Sequence, residues 1–205
     1  MRKKRLQTAA LVIASAALTA AGCSNSAAQP TPTPSTTTAA TTTAATPSDL
    51  AIDQAKKEIT AYYKVSDQLS QNPTGSLAAI NTVAAGDEVA GLTTLAQGMA
   101  KRGIHTVGDT TITSLTASDA SITKSDAEVA ADVCYDVSKV QGIDAQGAPL
   151  PRQTMQAGAP DGSDKIITVP WRDTRLAHFI VHNSTWPDPS GWRVTKAEMR
   201  NATCG

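Results

Sequence analysis

Two histidines and two acids are the residues of this 205-residue chain whose spacing could support proton transfer. His178 and His182 stand four apart in a stretch dense in β-formers, so as strand residues they project from one face with Ile180 between them. Asp132 and Asp136 are spaced the same way in a second such stretch, with Tyr135 beside them. General acid–base chemistry needs a carboxylate desolvated among apolar side chains, or a His oriented by one. That makes Asp132, Asp136 and His178 the candidate catalytic residues, although core tyrosines and surface acids account for the same pattern. A metal site would need His178 and His182 to recruit His105, Asp132 or Asp136. The chain has no CxxC pair and no HExxH helix, so the histidines are expected to face solvent or line a pocket, with no metal or other cofactor. Neither Gly86-Asp87-Glu88 nor the run Gly158 to Gly162 has the spacing of a phosphate loop.

Three tryptophans stand out among only seven aromatic residues. Trp192 reads as core. Trp171 and Trp186 lie beside prolines in expected loops, where an aromatic could anchor a partner or a glycan, or could pack back on its own sheet.

These residues need elements to position them. Ile52, Ala55, Ile59, Tyr62, Ser66 and Leu69 recur every three or four residues, which predicts an amphipathic helix from a Ser48 cap to Asn72-Pro73. A short helix is expected over Ser76–Ala84. A third is expected over Asp87–Arg102, with Val89, Leu92, Leu95 and Met99 inward and Gly103 as its stop. The period then changes to two. Thr106–Thr123 reads as β-structure broken at Gly108-Asp109 and Ser118-Asp119. Glu128–Val137 is the clearest strand, with Val129, Val133, Tyr135 and Val137 on one face and Asp132, Cys134 and Asp136 on the other. Gly142–Gly162 reads as a hairpin connection or mobile loop, followed by strands over Lys165–Val169, Arg175–Asn183 and Trp192–Met199. Helices first and antiparallel strands afterwards is an α+β layout.

The charge balance of 18 basic against 18 acidic groups hides an asymmetry. Removing Arg2, Lys3, Lys4 and Arg5 from the 18 leaves 14 bases against 18 acids, a net charge of −4. Such a domain has no electrostatic reason to bind nucleic acid or an anionic lipid surface. Composition also excludes collagen-like, coiled-coil and multi-span membrane classes. The basic cluster precedes Thr8–Gly22, a run too short and too rich in Ala, Ser and Thr to remain as a membrane span. It reads as a secretory signal peptide over 1–22.

Its end, Leu18-Thr19-Ala20-Ala21-Gly22-Cys23, resembles the lipobox of bacterial lipoproteins. The resemblance implies cleavage before Cys23 and acylation of its sulfur, palmitate being among the chains expected. The protein would then be held on the outer face of the cell membrane by two or more acyl chains, one alone binding only marginally. An ordinary secreted protein with a free Cys23 is the alternative. Residues 23–47 are then the lipidated Cys and a chargeless Thr/Ala/Pro tether that cannot bury enough apolar surface to fold. Residues 48–205 form one domain of ordinary size. For an exported chain the remaining Cys134 and Cys204 suggest a disulfide, with two free buried thiols as the alternative.

The order of elements, with Tyr62-Tyr63-Lys64-Val65 in the first helix, the Ala-rich short helices, and Gly191-Trp192-Arg193-Val194 followed by a Cys, resembles the nuclear-transport-factor-2-like or SnoaL-like superfamily, a subset of actinobacterial lipoproteins included. That resemblance implies a curved antiparallel sheet wrapped round the first helix as a cone, a cystatin-like roll. The superfamily hosts isomerases, hydrolases and non-catalytic modules, so it leaves the chemistry open. The expectation is a binding or accessory module of the envelope, partnered by an envelope protein or a small hydrophobic ligand. An isomerase- or hydrolase-like enzyme with its acid/base pair in the cone is the alternative, and a surface exclusion or immunity lipoprotein a third class.

Overall fold

The computed structural model describes residues 44–152, 154–158, 166–202 and 204. The expected signal peptide, Cys23 and all but the last residues of the tether lie outside the described residues, as does most of the Gly158–Gly162 run.

Helix α1 (Pro47–Gln71) starts ahead of the expected Ser48 cap because Thr46 makes the better one. Its hydroxyl accepts from the Asp49 amide at 3.2 Å while the Asp49 carboxylate accepts from the Thr46 amide at 3.0 Å. Pro47 fills a first-turn position where no N–H is needed. A 3-10 turn (Leu77–Ala79) leads into the short α2 (Ile80–Val83). Helix α3 (Asp87–Arg102) has acids in its first turn, bases in its last, and Gly103 at φ 65° closing it. Leu92, Ala96 and Met99 are its buried residues, whereas Leu95 is 49% exposed. Leu95 was expected inward, but it sits about 60° round the helix from Leu92, at the rim of the stripe that Ala96 completes.

Eight strands follow: β1 (His105–Val107), β2 (Thr111–Ile122), β3 (Ala127–Asp136), β4 (Gln141–Ile143), β5 (Thr154–Gly158), β6 (Ile166–Pro170), β7 (Thr174–Asn183) and β8 (Trp192–Arg200). Among the described residues, strands β1 and β4 form a two-stranded ribbon, and the other six make one open sheet in the order β2-β3-β7-β8-β5-β6, with no closed barrel. The neighbours are antiparallel except β5 and β8, which meet in parallel at Gly158 and Arg200. Helices packed on an antiparallel sheet are the expected α+β layout. Two expectations change in detail. Ser118-Asp119 is a bulge inside a continuous strand, the register slipping between Ala117 and Asp119 while pairing to β3 continues. The segment read as one irregular connection contains β5 and most of β4, whose turn-forming Gly and Pro neighbours mask their short runs.

Helix α1 lies on the sheet face that carries Val129, Val133, Phe179, Val181, Trp192 and Val194, all essentially inaccessible to solvent. Each such side chain contributes roughly 1.5–3 kcal/mol by leaving water. The turn before β2 needs Gly108, at φ 83°, because a Cβ there would stand 2.0 Å from the Lys139 carbonyl oxygen. Among the described residues no helix is long and apolar enough to cross a membrane.

One charge sits awkwardly in this packing. Gln54 on α1 accepts a 2.7 Å hydrogen bond from the Trp192 indole, and Glu58 follows one turn later with its Oε1 buried and unpartnered. Burial pushes the Glu58 carboxyl up to about 7, and the Arg193 charge offsets only part of that. The folded state therefore holds a proton between the ordinary value of 4.5 and about 7 that the unfolded chain releases, and stability falls as pH rises through that window. Glu58→Gln should remove the loss. It is expected to match the parent below pH 4.5, to within the accuracy of a melt, and to be more stable at pH 8 by about 1–2 kcal/mol, after allowing for solvent screening at a partly exposed group. Urea denaturation at the two pH values checks this, and equal midpoints at pH 8 would count against a strained Glu58.

Candidate functional site

The sheet, α1 and α3 do not close completely on one another. They leave a cavity of about 430 Å³ lined by Tyr62, Tyr63 and Asp67 of α1, Glu88, Leu92 and Leu95 of α3, and Tyr135, Arg175, Phe179 and Met199 of the sheet. Neighbouring Tyr62 and Tyr63 serve two sides of the α1 surface. Tyr62 stands edge-on to Phe179 with ring centroids 5.5 Å apart, and Tyr63 lies 5.2 Å from Tyr135 and 5.6 Å from Phe179. These separations fall in the range where aromatic pairs attract. A second cavity of about 500 Å³, between α1 and the start of β2, shares Tyr63, Asp67 and Thr110 with the first.

The polar groups of the aromatic cavity are mostly satisfied. The Tyr62 hydroxyl donates to Glu88 Oε1, and the Ala197 amide donates to Glu88 Oε2 at 3.2 Å. Burial raises the Glu88 carboxyl above its ordinary range, and those two bonds pull it partly back. Burial likewise raises Asp67, whose oxygens accept from the Thr110 amide at 2.8 Å and hydroxyl at 2.7 Å. All three phenols are raised by burial and are therefore neutral at physiological pH.

Arg175 is different. It points to the α1 side from β7, in register opposite Tyr135, and its charge and a side-chain hydrogen bond to that phenol offset part of the burial that raises it. Its guanidinium lies 4.0 Å from the Trp171 ring centroid and its Nε donates to the Arg172 carbonyl at 3.1 Å. Its Nη2 is buried without an acceptor. The lining is mostly aromatic and aliphatic, which suits an apolar ligand.

The candidates read from the sequence lie elsewhere. On β3 burial alternates so that Asp132, Cys134 and Asp136 face away from the helices. His178 stands beside Asp132 on β7, its Nδ1 2.8 Å from Asp132 Oδ1, on that same outer face. Asp132, Asp136 and His178 therefore do not converge on the aromatic cavity, because period-two alternation puts them opposite Val133, Tyr135, Ala177 and Phe179. His182 Nε2 pairs separately with Asp126 Oδ1 at 2.6 Å. No group of three metal ligands converges among the described residues. Cys134 and Cys204 form a disulfide, with Cα atoms 5.7 Å apart. Trp171 and Trp186 are half-buried against the core: Trp171 carries Arg175 on its ring and donates to Asp173 Oδ1 at 3.1 Å, and Trp186 stands edge-on to Trp192 at 6.0 Å.

No protein-family model matches the chain, and no curated protein does. Among solved structures it is similar to the intermembrane space region of the chloroplast protein ARC6, at 16% identity over 74% of this chain and 97% of that one, with a TM-score of 0.46. That likeness assigns neither ligand nor activity.

Arg175, Glu88 and the tyrosine pair are cavity residues that the pattern of the sequence did not single out as a site. Tyr62 fits the helix period like any core residue, Tyr63 enters only through the resemblance of Tyr62-Tyr63-Lys64-Val65, and Glu88 stands in a Gly-Asp-Glu run without the spacing of a phosphate loop. Arg175 did leave a trace. It shares strand parity with Ala177, Phe179 and Val181, so an inward charge is legible once β7 is placed.

Proposed function

We propose that this chain is a lipid-anchored extracytoplasmic lipoprotein whose domain is a non-catalytic binding or accessory module of the cell envelope, taking a small hydrophobic ligand under α1. The observation that carries the binding half is the aromatic cavity, with its pocket-facing acids already engaged by Tyr62, Ala197 and Thr110. An acid/base pair drawn from Asp132, Asp136 and His178 has no access to that cavity from the opposite sheet face, which favours binding over catalysis. A SnoaL-like cone, its sheet wrapped round α1, is the fold we assign on the resemblance of element order. The anchor half rests on the lipobox-like Leu18 to Cys23.

Two measurements test the halves separately. Expressed in its own host, the full chain is expected to fractionate with membranes and Cys23→Ala to become soluble, since acyl chains supply the attachment. A Cys23→Ala protein that stays with membranes overturns the anchor. Native mass spectrometry of the full chain from the same host should show a bound small molecule, and its loss in a cavity-filling Leu95→Trp variant places it under α1. A ligand retained by that variant overturns the site.

A further inference from the structure

We propose that the stretch of α3 between Gly91 and Gly98 is a yielding cover, through which an uncharged apolar ligand reaches the cavity under α1. The inference rests on the binding-module reading and supplies its route of entry and the class of its ligand. Gly91, Leu92 and Leu95 line the cavity, so this stretch is one of its walls. It is a weak piece of helix. Glycine is the poorest helix former after proline, and the β-branched Thr93 and Thr94 between the two glycines lose rotamer freedom in a helix. Packing does not account for the glycines, because a Cβ at either position would meet nothing within 4 Å.

The wall is also thinly held. Between the glycines Leu92 and Ala96 are buried, Ala96 brings little side chain, and Leu95 is half exposed. The ends of α3 are anchored by contrast. Glu88, one turn before the stretch, accepts from the Tyr62 hydroxyl and the Ala197 amide. Met99, just after it, is buried, and its carbonyl accepts from the Ile104 amide at 3.0 Å. A helix fixed at both ends and weak between them opens first in its middle. The lining sets the ligand's charge. Asp67, Glu88 and Arg175 are the ionisable groups able to pair with a charged ligand, and each is already engaged: Glu88 as above, Asp67 by the Thr110 amide and hydroxyl, and Arg175 by the Tyr135 phenol, the Arg172 carbonyl and the Trp171 ring. A charged ligand would lose its water there without gaining a partner, whereas an apolar one gains by leaving water.

Hydrogen exchange of the detergent-solubilised full chain, followed by mass spectrometry, measures the opening. Amides 91–98 are expected to exchange at least about tenfold faster than those of the buried face of α1. Gly91→Ala and Gly98→Ala should each slow them about fivefold, the helix preference of alanine over glycine, since neither methyl meets a clash. Leu92→Cys tests passage, because it puts a thiol at a cavity-lining position. Neutral iodoacetamide should alkylate it at a rate that falls by the same factor when either glycine is replaced. Anionic iodoacetate should react at least about tenfold more slowly, each rate taken relative to that with free cysteine. Exchange of 91–98 no faster than that of α1, or exchange unmoved by both alanine variants, overturns the cover. Equal relative rates for the two reagents overturn the uncharged ligand. If Leu92→Cys does not fold, exchange in the parent and the alanine variants decides the cover alone, and the charge of the molecule retained by the chain from its host decides the ligand class. The binding-module reading fails separately, if that chain carries no small molecule while 91–98 opens as expected.

Discussion

Replacing Cys134 and Cys204 together by alanine is expected to destabilise the protein by about 2–4 kcal/mol, because the bond closes a loop with a sequence separation of 70 in the unfolded chain. Its position makes the loss uneven. Cys134 sits on the outer face of β3, and Cys204 follows the end of β8, where Arg200 pairs with both Leu176 of β7 and Gly158 of β5. Among the described residues the β5–β6 hairpin pairs with the rest of the sheet at that parallel position, so a frayed β8 end loosens the hairpin too. Hydrogen exchange in the double variant should therefore accelerate first in 196–200 and in 154–158, while β3 amides, bonded in the sheet to β2 and β7, keep their protection until global unfolding. Guanidinium melts with and without reductant should give the parent a lower midpoint when reduced and leave the variant unchanged. A parent insensitive to reductant would mean that the bridge contributes nothing.

How much was legible beforehand follows from how local each signal is. The bounds of helix α3 were read to the residue, since its apolar spacing and the Gly103 stop are local signals, although Leu95 proved exposed. The two faces of β3 were likewise assigned correctly, because alternation needs no partner. What the sequence could not supply was the pairing. Asp132 and His178 looked like groups that might share a cavity, and they do adjoin, but on the far side of the sheet; that outcome depends on which face α1 covers. Burial of the tyrosines decides it, since Tyr135 shares its strand face with Val129 and Val133 and meets Tyr63 across the interface. The parallel junction of β5 with β8 was illegible for the same reason, its pairing among the described residues joining positions 42 apart. The bulge at Ser118-Asp119 was read as a break because turn-forming residues locate an irregularity without saying whether the strand resumes.

The second large effect concerns Asn183, the one polar side chain fully buried among the described residues. It ends β7 in register opposite Trp192, and its amide organises the connection to β8. Nδ2 donates to the Asp188 carbonyl at 2.7 Å, while Oδ1 accepts from the Thr185 amide at 2.9 Å and the Thr185 hydroxyl at 3.1 Å. Gly191 passes so close that a Cβ there would stand 2.2 Å from Asn183 Oδ1 and 2.0 Å from Thr185 Oγ1. The turn is thus built round one amide, with Trp186 and Trp192 stacked edge-on beside it. Asn183→Ala takes the partner from the Thr185 N–H and the Asp188 carbonyl and removes fully buried volume, a combined cost of about 2–4 kcal/mol. Asn183→Asp is expected to be at least as harmful: it keeps the acceptor for Thr185 but turns an oxygen and a buried negative charge towards the Asp188 carbonyl. Gly191→Ala should cost a similar amount, and adding it to Asn183→Ala should cost less than the sum, because truncating Asn183 makes room for one of the two clashes. Near-ultraviolet circular dichroism should lose intensity from the Trp186–Trp192 pair in each variant. Strict additivity in urea melts, or an Asn183→Asp protein as stable as the parent, would show that the turn is held by something other than this amide.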